Sequence, residues 1–236
     1  MKRRPTALVT GAAIRVGRAI ALELDAAGYR IAIHYHGSER AARDLHKRLK
    51  GSTLHRASLE HPGEIGLLAA EVAGKHGKID VLVNSAAIFF PTPLGKTTMD
   101  QWDSLHHLNL RAPYFLTQAV VPNMPKGGVV INIADVAGMV PWPSYIPYAA
   151  TKAGVIAMTH GLARALAPGI RVNAVAPGPV MLPEAYDVKA RKRSIEKTLL
   201  GRVGKAEDVA RAVRFLVEND YLTGVVLPVD GGRLIA

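Results

Sequence analysis

Short β-branched or apolar runs recur along this chain, and each is followed by a longer segment of helical period. That alternation is the signature of βα units, in which every strand feeds a crossover helix and the next strand lies parallel to it. The strands read from it are Ala7 to Thr10, Arg30 to Tyr35, Thr53 to Ala57, Ile79 to Asn84, Val129 to Ile133, Arg171 to Val175 and Val225 to Val229. The helices are Gly17 to Ala27, Glu39 to Leu49, Pro62 to His76, Met99 to Val121, Tyr145 to Ala167 and Lys205 to Glu218. The pattern predicts a doubly wound α/β sheet with seven parallel strands and helices on both faces. Its ligand crevice lies beyond the carboxyl ends of the strands, where the strand order reverses. One hydrophobic core serves a chain of this length, so residues 1–236 are expected to form a single domain. Two connections resist assignment and are expected to wall the substrate site. One spans residues 88–98, with FFPTPLGK; the other spans 177–203, with Pro177, Pro179 and Pro183 ahead of a basic run.

The formal net charge is +11, from 30 Lys and Arg against 19 Asp and Glu. Such an excess attracts polyanions. The basic residues are spread out, however, with small clusters at Lys2 to Arg4 and Lys189 to Arg193 and no aromatic interleaving, so no nucleic-acid partner is expected. Arg15 and Arg18 interrupt the apolar start, and no apolar run reaches membrane-spanning length; a cytoplasmic protein with no membrane partner is expected. The chain has no cysteine, which removes disulfides, thiolate zinc sites and cysteine nucleophiles. His34 and His36 alternate along a strand and His106 and His107 adjoin on a helix, without carboxylates at ligand spacing, so no metal site is expected. The KARKR run at Lys189 to Arg193 reads as a solvated face, with a grip on an acidic substrate tail as its functional alternative.

TGAAIRVG, from Thr10 to Gly17, closes the first strand and opens the first helix, which is the context of a phosphate-binding loop. In YAATK, Tyr148 and Lys152 stand four residues apart on one helix face, where an ammonium beside a phenol favours the ionised phenol. Strand two ends in IAIHYHGSER, with no acid to bind a ribose 2'-hydroxyl and repel a 2'-phosphate. It offers His36, Gly37 and Ser38, with Arg40 nearby, and NADPH is the cofactor favoured.

TGAAIRVG, NSAA at Asn84 to Ala87, NLRAPYF from Asn109, YAATK, APGPV at Ala176 to Val180 and VDGG at Val229 to Gly232 follow one another in one order. In that order the chain resembles the short-chain dehydrogenase/reductase family over essentially its whole length. The resemblance implies a Rossmann fold, Tyr148 as proton donor, Lys152 lowering its pKa and holding the nicotinamide ribose, and Asn109 anchoring a water relay to Lys152. It implies cofactor contacts at Gly11, Arg15, Val16, Gly17, His36, Gly37, Ser38, Ser58, Leu59, Asn84, Ala86, Tyr148, Lys152, Pro177 and Gly178. The family's catalytic serine, thirteen residues before the tyrosine, is Asp135 here. An aspartate donates to a ketone oxygen only when protonated, but it can accept from an amino-substituted heterocycle or share a proton with Tyr148.

Asp135 is joined by Arg15, by HYHGS at His34 to Ser38 and by SAAIFFPTPL at Ser85 to Leu94. Together they resemble the pteridine reductase branch of the family. By that resemblance Arg15 neutralises the diphosphate and floors the substrate pocket, Phe89 stacks over a planar ring, and substrate contacts fall on Arg15, Phe89, Asp135 and Tyr148. Two positions depart from the branch: Gly37 stands where it has an arginine, and Ser58 where the family has an adenine-contacting aspartate. The expected activity is NADPH-dependent reduction of a pterin or dihydrofolate carbon–nitrogen double bond. The alternative is a 3-oxoacyl-thioester or general carbonyl reductase. An NADPH-binding regulatory protein without turnover is a third reading, marked by loss of Tyr148, Lys152 or Asn109, all of which are present. Small-molecule partners follow, and the resemblance implies a homotetramer built on the helices that hold Asn109 and Tyr148.

Overall fold

The seven runs pair into one sheet of order β3-β2-β1-β4-β5-β6-β7 in the computed structural model, which describes residues 3–182 and 186–236. The strands are β1 Thr6–Val9, β2 Arg30–Tyr35, β3 Thr53–Arg56, β4 Val81–Asn84, β5 Gly128–Ile133, β6 Ile170–Pro177 and β7 Val226–Val229, and every pairing is parallel. The helices are α1 Arg15–Ala26, α2 Glu39–Arg48, α3 Pro62–His76, α4 Met99–His106, α5 Ala112–Val120, α6 Ile146–Leu166, α7 Val188–Glu196 and α8 Ala206–Glu218.

Successive strand residues point to opposite faces, and both faces are covered. Ala7, Val9, Ile31, Ile33 and Ile131 pack on Leu24 of α1, Leu45 of α2 and Val213 of α8. Leu8, Ala32, Leu82, Val130 and Val172 pack on Leu68 of α3, Leu116 of α5 and Ala163 of α6. Each fully buried Leu or Ile of these layers contributes about 2 kcal/mol relative to exposure. Among the described residues no helix is long and apolar enough to cross a membrane.

β1 lies between β2 and β4, so the chain runs outward through β2 and β3 and then returns to the other side of β1. The loops after β1 and β4 therefore diverge and open the crevice. Thr10 ties its floor: Oγ1 accepts the Ser85 and Ala86 N–H groups at 2.9 and 3.0 Å. A Cβ on Gly11 would stand 3.0 Å from the Ala86 Cα, so the two loops touch.

Two elements differ from the reading of the sequence. The single helix expected over Met99 to Val121 carries a π segment, His107–Arg111, between α4 and α5. Pro113 supplies the reason: it has no N–H, so the Asn109 carbonyl four residues back loses its α-helical donor. The ladder widens there, and the Ala112 N–H donates to the His107 carbonyl. The connection at 177–203 holds a helix, α7, whose N-cap Asp187 accepts the Ala190 N–H at 2.6 Å. α7 has no buried residue, so it left no apolar period to read. Lys2 of the first basic cluster, and Pro183 with its two successors in the 177–203 connection, lie outside the described residues.

Candidate active site

A cavity of about 750 Å³ opens above the carboxyl ends of the strands. At its phosphate end, Gly11 has φ +62° and a Cβ on Gly17 would come within 2.2 Å of the Gly11 carbonyl oxygen, so this turn closes only with glycines. Ile14 caps α1 without a side-chain hydrogen bond, and the first turn holds no acid. The free N–H groups there suit a diphosphate. Arg15 adds a guanidinium in left-handed backbone, φ +52°, which is costly for a residue with a Cβ. Its Nη2 donates to the carbonyl of Met181, itself at φ +48°. This contact links the phosphate loop to the connection after β6 across the cavity mouth.

His34 sets the loop from below. Its Nδ1 accepts the Gly11 N–H at 3.1 Å and its Nε2 donates to the Ala57 carbonyl at 3.2 Å, which requires a neutral ring. Burial holds it neutral, lowering its pKa to about 4. Beyond it, His36, Gly37 and Ser38 line the cavity; Arg40 is exposed and does not. Ser58 and Leu59 line the same end, and the Ser58 N–H is taken by Glu64 Oε2 at 2.6 Å. These features fit a nicotinamide dinucleotide with its adenosine toward β2 and a 2'-substituent that meets no acid at the end of that strand.

At the other end stand the chemical groups. Asp135 follows β5, and its Oδ1 accepts the Ala137 N–H at 2.7 Å, which fixes the carboxyl. A Cβ on Gly138 would come within 2.7 Å of the Lys152 carbonyl carbon, so this turn lies directly on α6. The contact brings Asp135 to Tyr148, whose Oη donates to Oδ2 at 2.9 Å. Lys152 is one helical turn on; its Nζ sits 5.7 Å from the Tyr148 ring centre and donates to the Ile133 carbonyl at 2.8 Å.

Burial, then the Asp135 charge and hydrogen bond, hold the Tyr148 pKa well above the usual phenol value in the protein alone. Burial also raises Asp135, against the opposing pull of the Ala137 N–H, Lys152 and Tyr148. Lys152 is lowered by burial to about 8, with Asp135 pulling the other way. In the protein alone Tyr148 therefore holds its proton firmly, and the pair Asp135–Tyr148 can store and release one.

Gly11, Arg15, Val16, Gly17, Ala86, Phe89, Asp135, Tyr148, Lys152, Pro177 and Gly178 all line this cavity. Two expected residues do not. The Asn84 amide is turned into the sheet, donating to Thr117 Oγ1 at 3.2 Å and Asn132 Oδ1 at 2.9 Å, so its side chain does not reach a cofactor. Asn109 spends its side chain on both backbone groups of Ile88, each at 2.9 Å, and so positions the wall that carries Phe89.

Phe89 has one face stacked on Tyr145, with centroids 4.6 Å apart and planes 2° apart, and it meets Tyr148 edge-on at 4.8 Å. Trp142 meets it edge-on at 6.4 Å, and Phe89 remains 37% exposed where it lines the cavity. Sequence reasoning missed Tyr145, Trp142, Met181, Tyr186, Lys197 and Arg233, which complete the wall. Tyr145, one helical turn before Tyr148, was the one of these with a readable signal.

A doubly wound sheet with a glycine-tight anion loop at its switch point and a phenol–ammonium pair at the far end defines a nicotinamide-dependent oxidoreductase. A family profile described as Enoyl-(Acyl carrier protein) reductase matches residues 11–233. The chain belongs to the short-chain dehydrogenase/reductase family. A 3-oxoacyl-[acyl-carrier-protein] reductase FabG from Staphylococcus aureus is 35% identical over 98% of this chain and 99% of that protein. A blue fluorescent protein from a metagenomic library, solved with NADPH, is 34% identical with a TM-score of 0.93 over 99% of each chain. FolM alternative dihydrofolate reductase 1 from Brucella canis, solved with NADP, is 32% identical with a TM-score of 0.92 over 98% of this chain and 94% of that one.

Proposed function

We propose that the protein is an NADPH-dependent reductase of the carbon–nitrogen double bond of a pterin or dihydrofolate. The observation that carries this reading is the Tyr148–Asp135 hydrogen bond, 2.9 Å long, where the family places a serine. A carboxylate there accepts from an amino-substituted ring and competes poorly for a ketone oxygen. The acid-free end of β2 and the structural relatives solved with NADPH and NADP support the cofactor. Bound along the cavity from the phosphate loop to Lys152, NADPH would supply the hydride that reduces the ring carbon. Tyr148 gives the Oη proton to the ring nitrogen. Asp135, whose buried carboxyl binds a proton more readily than an ordinary one, refills Tyr148 from solvent. Lys152 faces the ring of Tyr148 and stabilises negative charge on its oxygen. Arg15 and Phe89 orient the planar ring, Arg15 by charge and Phe89 by its exposed ring.

A second reading, reduction of a 3-oxoacyl thioester, is favoured by the named sequence relatives, which weigh on that side more than on the pterin side. It requires Asp135 to be protonated or idle. Assembly as a homotetramer and a cytoplasmic location accompany either reading; Tyr114, Phe115 and Ile146 leave apolar surface on α5 and α6 for such contacts. Turnover of NADPH with dihydrobiopterin, dihydrofolate and an acetoacetyl thioester, measured side by side, tests the choice. Pterin turnover exceeding thioester turnover supports the first reading, and the reverse order supports the second.

A further inference from the structure

The main cavity does not end at the aromatic wall. A side chamber of about 320 Å³ opens from it, bordered by Tyr145, Tyr186, Ala190, Ser194 and three cations, Arg193, Lys197 and Arg233. Tyr145, Tyr186, Ser194, Lys197 and Arg233 border both spaces, so one ligand can occupy the two together.

Among the described residues the chamber lining has no acid, and its cations have no ion-pair partner. Arg193 and Lys197 lie one turn apart on α7 and just beyond it, and neither makes an ion pair with a described residue, whereas the adjacent Lys192 pairs with Glu196 at 3.8 Å. The Nη1 of Arg233 is buried and has no hydrogen-bond partner among the described residues. A buried guanidinium nitrogen without an acceptor is costly, and an incoming anion removes that cost.

The chamber is held in place from two sides. Asp230 fixes the turn that carries Arg233, accepting the Gly232 and Leu234 N–H groups at 2.9 Å each. That turn packs on the end of the α7 segment: the Leu200 N–H donates to the Gly231 carbonyl at 3.1 Å, and a Cβ on Gly232 would come within 2.9 Å of Leu199. Tyr145, pushed up to about 12 by burial and by Tyr186, stays neutral at the entrance and adds no repulsion to an anion.

We propose that Arg193, Lys197 and Arg233 form an anion subsite for a carboxylate or phosphate carried on the substrate's side chain, so that the preferred substrates are acidic at the end away from the reacting bond. The identity of the ring, though not the need for an anion, rests on the pterin reading above.

The test compares paired substrates that differ in their anion. Dihydrofolate has a dicarboxylate tail and dihydrobiopterin has none; an acetoacetyl phosphopantetheine thioester has a phosphate and an acetoacetyl N-acetylcysteamine thioester has none. For Arg193→Glu, KM of the acidic member of a pair is expected to rise about tenfold and that of the neutral member less than twofold, with kcat held, while Arg193→Lys restores the wild-type KM. If the discrimination appears only within the thioester pair, the subsite stands and the pterin reading falls. Equal changes in both members, or none, overturn the subsite. Binding of folate and of tail-free pterin to the NADP-loaded protein, followed by protein fluorescence, gives the same comparison without turnover. There, no advantage of folate over pterin in the wild type overturns the proposal.

Discussion

The Tyr148 hydroxyl donates to Asp135 Oδ2 at 2.9 Å, while the Ala137 N–H holds the other carboxyl oxygen at 2.7 Å. The carboxyl is thus aimed at the phenol before any ligand enters. Burial raises both groups and lowers Lys152 to about 8.

The pH dependence of reduction follows from that. Lys152 is cationic below about 8 and neutral above it. As pH rises through that value the charge that stabilises a Tyr148 oxyanion disappears, so kcat/KM is expected to fall about tenfold per unit. Lys152→Arg, which keeps its charge, should retain the weaker activity of an imperfect cation but move the fall beyond pH 9. A profile flat from pH 7 to 9.5 in the wild type would contradict this assignment.

Arg15 combines strain with charge. At φ +52° a glycine is easier to accommodate by roughly 1 kcal/mol, so Arg15→Gly is expected to keep or slightly raise the unfolding temperature. The variant loses the contact with Met181 and the cation over the cavity. Pterin KM should rise about tenfold, and NADPH Kd, measured by titration, less than threefold. Equal weakening of both ligands counts against a substrate role for Arg15.

Gly17 answers to sterics alone. A Cβ within 2.2 Å of the Gly11 carbonyl oxygen cannot be relieved by a rotamer change, so Gly17→Ala must push the phosphate loop off α1. Unfolding by denaturant should show a loss of about 2 kcal/mol, and NADPH binding should weaken at least a hundredfold. Near-normal NADPH affinity would show that the loop is not the diphosphate site.

His34 makes the fold acid-sensitive. Its folded pKa, about 4, lies below the usual 6.5, so the unfolded chain takes up a proton that the folded one refuses. Its contribution is complete above about pH 6.5 and is lost as pH falls toward 4. Between pH 7 and 5 the wild type should lose about 2 kcal/mol more than His34→Gln, read from urea unfolding at the two pH values. An identical loss in both would place the acid sensitivity elsewhere.

The sheet and its crevice were legible because strand periodicity and the Gly11 and Gly17 spacing report backbone requirements directly. The break at His107 to Arg111 was legible only in retrospect: Pro113 marks it, yet the surrounding apolar period runs on unbroken. α7 was hidden because its face is solvated and basic, and periodicity is silent where nothing is buried. In the site, Asp135 could be matched to Tyr148 from their separation along the chain. The direction of the Tyr148 shift could not, because it depends on burial that only tertiary packing creates. Arg233 and Lys197 reach the cavity from segments remote in sequence, and no local pattern announces that convergence.

The most direct test is the specificity of Asp135→Ser. NADPH oxidation is followed with dihydrobiopterin or dihydrofolate and with an acetoacetyl thioester, for the wild type and the variant. If the carboxylate selects a nitrogen-rich ring, the ratio of kcat/KM for pterin over thioester should fall at least a hundredfold, through loss on the pterin and gain on the thioester. A wild type that reduces the thioester and ignores both pterins, with the ratio unmoved by the substitution, would contradict the account.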